Sequence, residues 1–312
     1  MLHLEVIILG YKQTKFFPEQ RILVAHLAML LFSVLVSLSF VIGAKVANSI
    51  DPLAITFARF CIAMVLIGAV YRMTVKISFL DFQSPWRFLI LGFLISTYFV
   101  LMFEGLKTAE PVSMSVVFTL TPLLAGFFDY LVVGRKMSKS VTIAVILGAF
   151  GAVWIIFEGN LNRIMDFDVG YGELIFFVGC AGHAMYASLI PRLNKGETPL
   201  AQTLGTLIAC SLILLLVGSQ SISTNEWKDL SLFVWASIFY LAIFATASSF
   251  FLIQFATRRL SSVKVMAYTY AIPFWVAYFN WLFGGGMPEI KLLWGALLIV
   301  CVLFFLLSNR DY

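Results

Sequence analysis

The chain has 312 residues, of which 61% are hydrophobic and only 12% are charged, and its formal net charge is +5. Soluble domains carry about 25% charged residues, so this chain has too little charge to cover a water-facing surface. The composition excludes a soluble protein and predicts that lipid is the solvent for much of the molecule. The basic residues lie in short segments between apolar runs, which favours a role in orienting helices over nucleic-acid binding.

Apolar runs long enough to cross the hydrocarbon core, about 20 residues each, recur along the whole chain. A segment of residues 1–21 precedes them and is predicted to lie in the cytoplasm. The sequence predicts ten transmembrane helices, at residues 22–44, 52–71, 87–106, 111–133, 140–157, 171–191, 199–218, 231–256, 263–283 and 290–308.

The distribution of Lys and Arg orients these spans. Of the 21 basic residues, Arg59 lies inside a span and five lie in the segments on one side, namely Lys45, Lys107, Arg163, Lys228 and Lys291. The other fifteen lie on the opposite side, which the positive-inside rule assigns to the cytoplasm. We therefore expect a multi-pass protein of the inner cell membrane with both termini cytoplasmic.

The two halves of the chain match each other weakly but in order. Pro122 and Pro273 are separated by 151 residues, and the same offset pairs Asp129 with Asn280. Five spans per half is an odd number, so the halves must cross the membrane in opposite directions, as inverted repeats do. The predicted repeats are residues 22–158 and 170–308.

Short motifs of small residues and prolines resemble a known family. These are AEPVSMS at residues 109–115, TPLLA at 121–125, GRKMS at 134–138 and GAFG at 148–151, and they look like the EamA type of the drug/metabolite transporter superfamily. The resemblance implies a ten-helix inverted-repeat carrier whose fifth and tenth helices are peripheral and whose other helices surround a central cavity. Members move amino acids, nucleosides, other metabolites or toxic compounds, frequently outward. The family usually has Gly-Glu after the fourth span, whereas this chain has Gly134-Arg135, so no role of that glutamate transfers.

Arg59 is the clearest candidate for a substrate-binding residue. It lies eight residues into the second predicted span, about 12 Å deep at 1.5 Å per residue. A guanidinium at that depth should face the bundle interior. It either binds a substrate carboxylate or phosphate or has a structural role, as an ion pair or a helix-end cap, for which Glu104 is a candidate partner.

His183 lies midway along the sixth predicted span. An imidazole there could accept a coupling proton or bind substrate, or it could serve as a neutral hydrogen-bonding group between helices. The sequence leaves both roles open.

Two further groups of residues are candidates. Pro122 and Pro273 are predicted to bend equivalent helices, either as gates or as static kinks, and Asp129 and Asn280 to share a structural or gating role near the cytoplasmic ends. Four aromatic residues near the second proline either form an aromatic wall of a cavity for a ring-bearing or apolar substrate or belong to an interfacial aromatic belt: Tyr268, Tyr270, Trp275 and Tyr278.

The leading hypothesis is a secondary active or facilitative transporter of small metabolites that works by alternating access, and the resemblance implies export as its direction. The sequence has no ATP-binding P-loop motif, no metal-ligand spacing among its four cysteines and no catalytic constellation, so we expect no cofactor, no metal and no enzyme activity. A membrane-embedded enzyme or a channel is the alternative. The expected partners are a small-molecule substrate and the lipid bilayer, with no nucleic acid, and monomer and homodimer are equally compatible with the sequence.

Overall fold

The computed structural model describes residues 18–74, 82–134, 136–156, 159–162, 169–284 and 293–308. Within these ranges the chain is helical and contains no strand. The N-terminal segment up to residue 17, Arg135 and Gly285 lie outside the described residues. The helices are α1 Pro18–Val46, α2 Pro52–Thr74, α3 Trp86–Gly105, α4 Pro111–Phe118, α5 Thr121–Phe128, α6 Lys139–Ile156, α7 Tyr171–Leu193, α8 Pro199–Val217, α9 Ser219–Thr224, α10 Leu232–Ala242, α11 Ser249–Ala256, α12 Ser262–Ala267, α13 Ile272–Leu282 and α14 Leu293–Ser308.

Seven helical segments of the described chain are long and apolar enough to cross a membrane. They are Arg21–Val46, Pro52–Thr74, Trp86–Gly105, Pro111–Val132, Tyr171–Leu193, Pro199–Val217 and Leu232–Ala256. Two shorter apolar helices, Lys139–Ile155 and Trp294–Leu306, fall in the fifth and tenth predicted spans. The ninth predicted span is broken into α12 and α13. The all-helical membrane fold is thus confirmed, whereas the count of ten and the inverted topology stay predictions.

Two helices that begin at equivalent places in the repeats share one kind of start. The Asp51 carboxylate accepts hydrogen bonds from the backbone N–H groups of Leu53 and Ala54, at 2.8 and 3.3 Å. The Thr198 hydroxyl accepts one from Ala201 at 3.1 Å. In both helices proline follows the capping residue, where its missing N–H costs no helical hydrogen bond.

Both mid-span prolines lie where a helix is interrupted. Pro122 lies in the first turn of α5, directly after the break that ends α4 at Phe118. Pro273 begins α13 after a 3₁₀ turn, Tyr268–Ala271. The two broken segments cross, with α4 packed on α13 and α5 on α12. At the crossing the Thr121 hydroxyl donates to the Thr269 hydroxyl at 3.1 Å.

The helices α6 and α14 pack against each other through glycines. A Cβ added to Gly295 would lie 2.7 Å from the Gly151 carbonyl oxygen, so the two backbones are in close approach. Ala144, Ile299 and Val302 belong to a small second core at this contact, separate from the main core of the bundle.

Candidate functional site

A cavity lies inside the bundle where α1, α3, α7 and α11 meet. The cavity is small, with a volume of about 10 Å³, which is room for roughly one water molecule. Its walls are mostly aromatic and aliphatic, with His183, Tyr186 and Ser249 as polar exceptions. The lining residues are Phe32, Val36, Ile95, Tyr98, Phe99, His183, Tyr186, Ser249, Phe250 and Ile253.

The cavity walls come from equivalent segments of the two halves. The helices α1 and α3 are the first and third apolar segments of residues 22–158, and α7 and α11 belong to the first and third of residues 170–308. Phe99 and Phe250 differ by 151 residues, the offset that also relates Pro122 to Pro273. Their rings stack with centroids 5.9 Å apart and planes 25° apart. The pair therefore lies where the two halves face each other.

His183 lies in this cavity and is 4% exposed. Its ring lies 4.6 Å from the Tyr98 ring and 5.1 Å from the Phe118 ring, measured between centroids. Its Nδ1 atom is buried and has no hydrogen-bond partner within the part of the chain that the structure describes. A buried imidazole nitrogen without a partner is costly in an apolar environment, so this atom is suited to a bound solute.

Tyr186 lies one turn after His183 on the same face of α7 and also lines the cavity. The Gln254 side-chain amide donates to its hydroxyl at 3.1 Å, while the Gln254 amide oxygen has no partner. Sequence reasoning missed Tyr186, although the three-residue spacing from His183 was a usable signal. It also missed Phe99 and Phe250, which the repeat offset could have identified.

Arg59 is fully buried between α2 and the segment that follows α10. Its Nε donates to the Thr246 hydroxyl at 2.7 Å, and its Nη2 lies 3.3 Å from the carbonyl oxygens of Leu241 and Ala245. These acceptors lie in or beside a π-helical turn, Ile243–Ser248. A π turn displaces backbone carbonyls from the regular α-helical pattern, and here the guanidinium binds two of them.

The guanidinium of Arg59 also lies against the cavity wall. Its Cζ is 4.3 Å from the centroid of the Phe99 ring and 5.7 Å from that of Phe103. Its Nη1 has no hydrogen-bond partner. The expected alternative partner, Glu104, instead binds Lys107 at 2.8 Å, so the ion pair considered from sequence is not formed.

The four aromatic residues of the ninth predicted span do not form one wall of this cavity. The Tyr268 hydroxyl is 2.9 Å from His26 Nδ1. Tyr270 is buried in the second core against Gly148 of α6. Trp275 is half-buried and Tyr278 is 50% exposed, with its ring near Phe279 and Trp281.

The candidate gating residues have different surroundings. Asp129 is buried and begins a π-helical turn, Asp129–Val133, which ends at Gly134 with φ of 71°. Asn280 lies half-buried in α13. In the second half the corresponding glycine is Gly284, with φ of 87°. It follows Pro273 by one residue fewer than Gly134 follows Pro122, because the π turn adds one residue to the helix of the first half.

A buried polar network ties together the ends of four helices, at the side that the charge distribution assigns to the cytoplasm. Arg87 of α3 pairs with Glu197, between α7 and α8, at 2.5 Å, and both side chains are nearly inaccessible to solvent. The Gln202 amide oxygen accepts from Asn194 at 2.9 Å and from Arg258 at 3.0 Å. Burial lowers the pKa of Arg258 to about 10, and the Glu197 carboxylate acts in the opposite direction.

Comparison with known proteins identifies the family. A model of the EamA-like transporter family matches residues 23–157 and 170–308. "Uncharacterized transporter YyaM" of Bacillus subtilis (strain 168) is 22% identical over 281 residues, covering 89% of this chain and 92% of that protein. One solved crystal structure shares the fold, with a TM-score of 0.69 at 18% identity over 92% of this chain and 96% of that chain. Since the family model covers both halves, the chain belongs to the EamA-like transporter family and is a multi-pass membrane transporter.

Proposed function

We propose that this protein is a secondary transporter that moves small organic solutes outward across the inner cell membrane by alternating access. In this proposal ten helices span the bilayer as two inverted halves, and both termini are cytoplasmic. The central cavity holds the solute, and each mouth of the cavity opens in turn.

The observation that carries this proposal is the composition of the cavity wall. Equivalent segments from both halves supply it, and the repeat-related rings of Phe99 and Phe250 stack within it. In inverted-repeat carriers a site at such a position can face either side when one half rocks against the other. The cavity is narrow and ring-lined, so a solute entering it must displace aromatic side chains.

The broken segments supply the flexibility that such a motion needs. Pro122 and Pro273 each lie in the first turn of a helix that follows an interruption, and the two interrupted segments cross at Thr121 and Thr269. A backbone that is already interrupted can change its angle there without breaking further helical hydrogen bonds. We assign the two prolines to hinges, and Asp129 and Asn280 to the helix ends that move with them.

Counterflow in reconstituted vesicles tests the transporter against its rivals. A thermal-stability screen of the purified protein against a metabolite library first selects a stabilising solute. Vesicles preloaded with that solute should then accumulate its labelled form transiently, and the initial rate should saturate with concentration. Flux that never saturates would indicate a channel, and chemical conversion without flux would indicate an enzyme. Protein-free vesicles are the control.

A further inference from the structure

We propose that the transported solute is a monocarboxylate with an apolar or aromatic body, and that its carboxylate binds Arg59 once the Phe99 ring turns aside. This inference rests on the proposed function, since it names the solute of the same cavity. It is drawn from the charge, the unused hydrogen-bonding capacity and the position of one side chain.

The first step is the unbalanced charge of Arg59. The guanidinium is fully buried, and no acidic side chain among the described residues pairs with it. A buried cation without a counter-charge is expensive in a low-dielectric interior, even when neutral acceptors surround it. A carboxylate at this position would remove most of that cost, so the site favours an anionic ligand.

The second step is the unused nitrogen. The Nε and Nη2 atoms of Arg59 bind the π-helical turn at Thr246, Leu241 and Ala245. The Nη1 atom is buried and makes no hydrogen bond to any of the described residues. A purely structural role of Arg59 in stabilising the π-helical turn explains the contacts of Nε and Nη2 but not the unpaired Nη1.

The third step concerns the rest of the cavity, which limits the class of solute. Apart from His183, its lining contains no acidic or basic side chain. One buried positive charge is balanced by a single negative charge, so a phosphate dianion would leave an excess. The ammonium of a zwitterion would find no carboxylate in the lining. The rings of Tyr98, Phe99 and Phe250 suit an aromatic or aliphatic body.

The fourth step is the position of Phe99. This ring belongs to the cavity wall, and the Arg59 guanidinium lies 4.3 Å from its centroid. The ring therefore separates Arg59 from the cavity and must turn before a carboxylate reaches Nη1. The second half has no arginine at the equivalent position. The offset of 147 residues that relates Pro52 to Pro199 pairs Arg59 with Thr206, so no equivalent cation accompanies the repeat-related Phe250. Among the described residues, this arrangement of a buried arginine behind a cavity ring therefore occurs at Phe99 and not at Phe250.

A matched pair of probes tests the inference: 3-phenylpropionate and its uncharged amide, 3-phenylpropionamide. Binding to purified protein is measured by calorimetric titration, and counterflow is measured in vesicles. The wild-type protein should bind the acid more tightly than the amide. Arg59→Gln should weaken binding of the acid by about 10- to 100-fold, as expected for loss of a charge-assisted hydrogen bond, and leave binding of the amide within about twofold.

Two further variants distinguish a solute-binding role of Arg59 from a purely structural role. Thr246→Val removes the acceptor of Arg59 Nε but keeps the charge, so the preference for the acid should persist. Arg59→Lys should also keep that preference, with weaker binding because the bidentate fork is lost, and it decides the matter if Arg59→Gln does not insert. Equal binding of acid and amide by the wild-type protein, or equal loss of both probes in Arg59→Gln and Thr246→Val, would overturn the inference.

Failure of the carboxylate site and failure of the transporter give different results. Saturable counterflow of a library solute without any preference for the acid removes the carboxylate site and leaves the transporter. Absence of counterflow for every stabilising solute removes the transporter itself.

Discussion

The buried ion pair between Arg87 and Glu197 should contribute strongly to stability, and its two partners should contribute unequally. Besides the carboxylate, Arg87 donates to the carbonyl oxygens of Leu193 at 2.5 Å, Gln83 at 2.6 Å and Ser84 at 3.3 Å. Replacing Arg87 by Met removes all four contacts and leaves a nearly inaccessible carboxylate without its ion-pair partner, with Arg258 as the remaining nearby cation. We expect a loss of about 3–5 kcal/mol in the free energy of unfolding.

The partner substitution should cost less. In Glu197→Gln the Arg87 guanidinium keeps its three carbonyl acceptors, and the amide oxygen can still accept one hydrogen bond. The expected loss is about 1.5–3 kcal/mol, the value of a hydrogen bond to a charged group. The double variant should lose less than the sum of the single losses, because the removal of Arg87 has already unpaired the carboxylate.

Thermal unfolding of the four proteins in detergent measures these effects. For Arg87→Met the midpoint should fall by on the order of 5–10 °C. The control is Lys107→Met, because the Lys107–Glu104 pair is partly exposed at 30% and 37% and should change stability by about 0.5 kcal/mol or less. If Arg87→Met unfolds within 1 °C (roughly 0.5 kcal/mol) of that control, the buried pair does not stabilise the fold and the reasoning is wrong.

Three other predictions concern the cavity, the helix packing and the orientation. His183→Phe keeps the ring but removes the unpaired Nδ1, so affinity for the stabilising solute should fall about tenfold at an unchanged unfolding midpoint; unchanged affinity in a titration would show that Nδ1 binds no solute. Gly295→Val places a side chain against the Gly151 carbonyl and should cost about 1–3 kcal/mol, visible as a lower unfolding midpoint; an unchanged midpoint would mean that α6 and α14 are not in close contact. On a background without the four native cysteines, a membrane-impermeant maleimide added to intact cells should label Lys228→Cys but not Lys139→Cys, and the reverse labelling would invert the topology.

Sequence alone was sufficient for the helical membrane fold, because lipid imposes long apolar segments and confines charge to their ends. It also located both interruptions, since Pro122 and Pro273 cannot donate a backbone hydrogen bond. It did not reveal the π-helical turns, such as Ile243–Ser248. Such a turn depends on tertiary contacts of the displaced carbonyls, here with Arg59, and those contacts are not local in sequence.

The candidate site was only partly predictable for a similar reason. The mid-span position of His183 indicated its place in the cavity, but the wall expected from Tyr268 and Trp275 assumed a continuous α-helix with a seven-residue repeat. The 3₁₀ turn Tyr268–Ala271 advances about 120° per residue instead of about 100°. Over four residues this rotates the following helix by roughly 80° relative to a continuous α-helix, so a seven-residue spacing no longer places Tyr268 and Trp275 on one face. The ion pair considered between Arg59 and Glu104 is not formed, because Glu104 binds Lys107, which lies one helical turn away.

The departures from repeat symmetry concentrate the chemistry of the molecule on a few positions. Two identical inverted halves would give equal energies to the two access states, because exchanging the halves would exchange the states. Here the first half carries Arg59 where the second has Thr206, and the second half carries the π-helical turn that Arg59 binds. The 147-residue offset likewise places Ile50 at the position of Glu197, so the buried carboxylate belongs to one end of the bundle. In the proposed transporter, symmetric residues such as Phe99 and Phe250 would line the passage, whereas these asymmetric residues would set the charge of the solute and the relative energies of the two states.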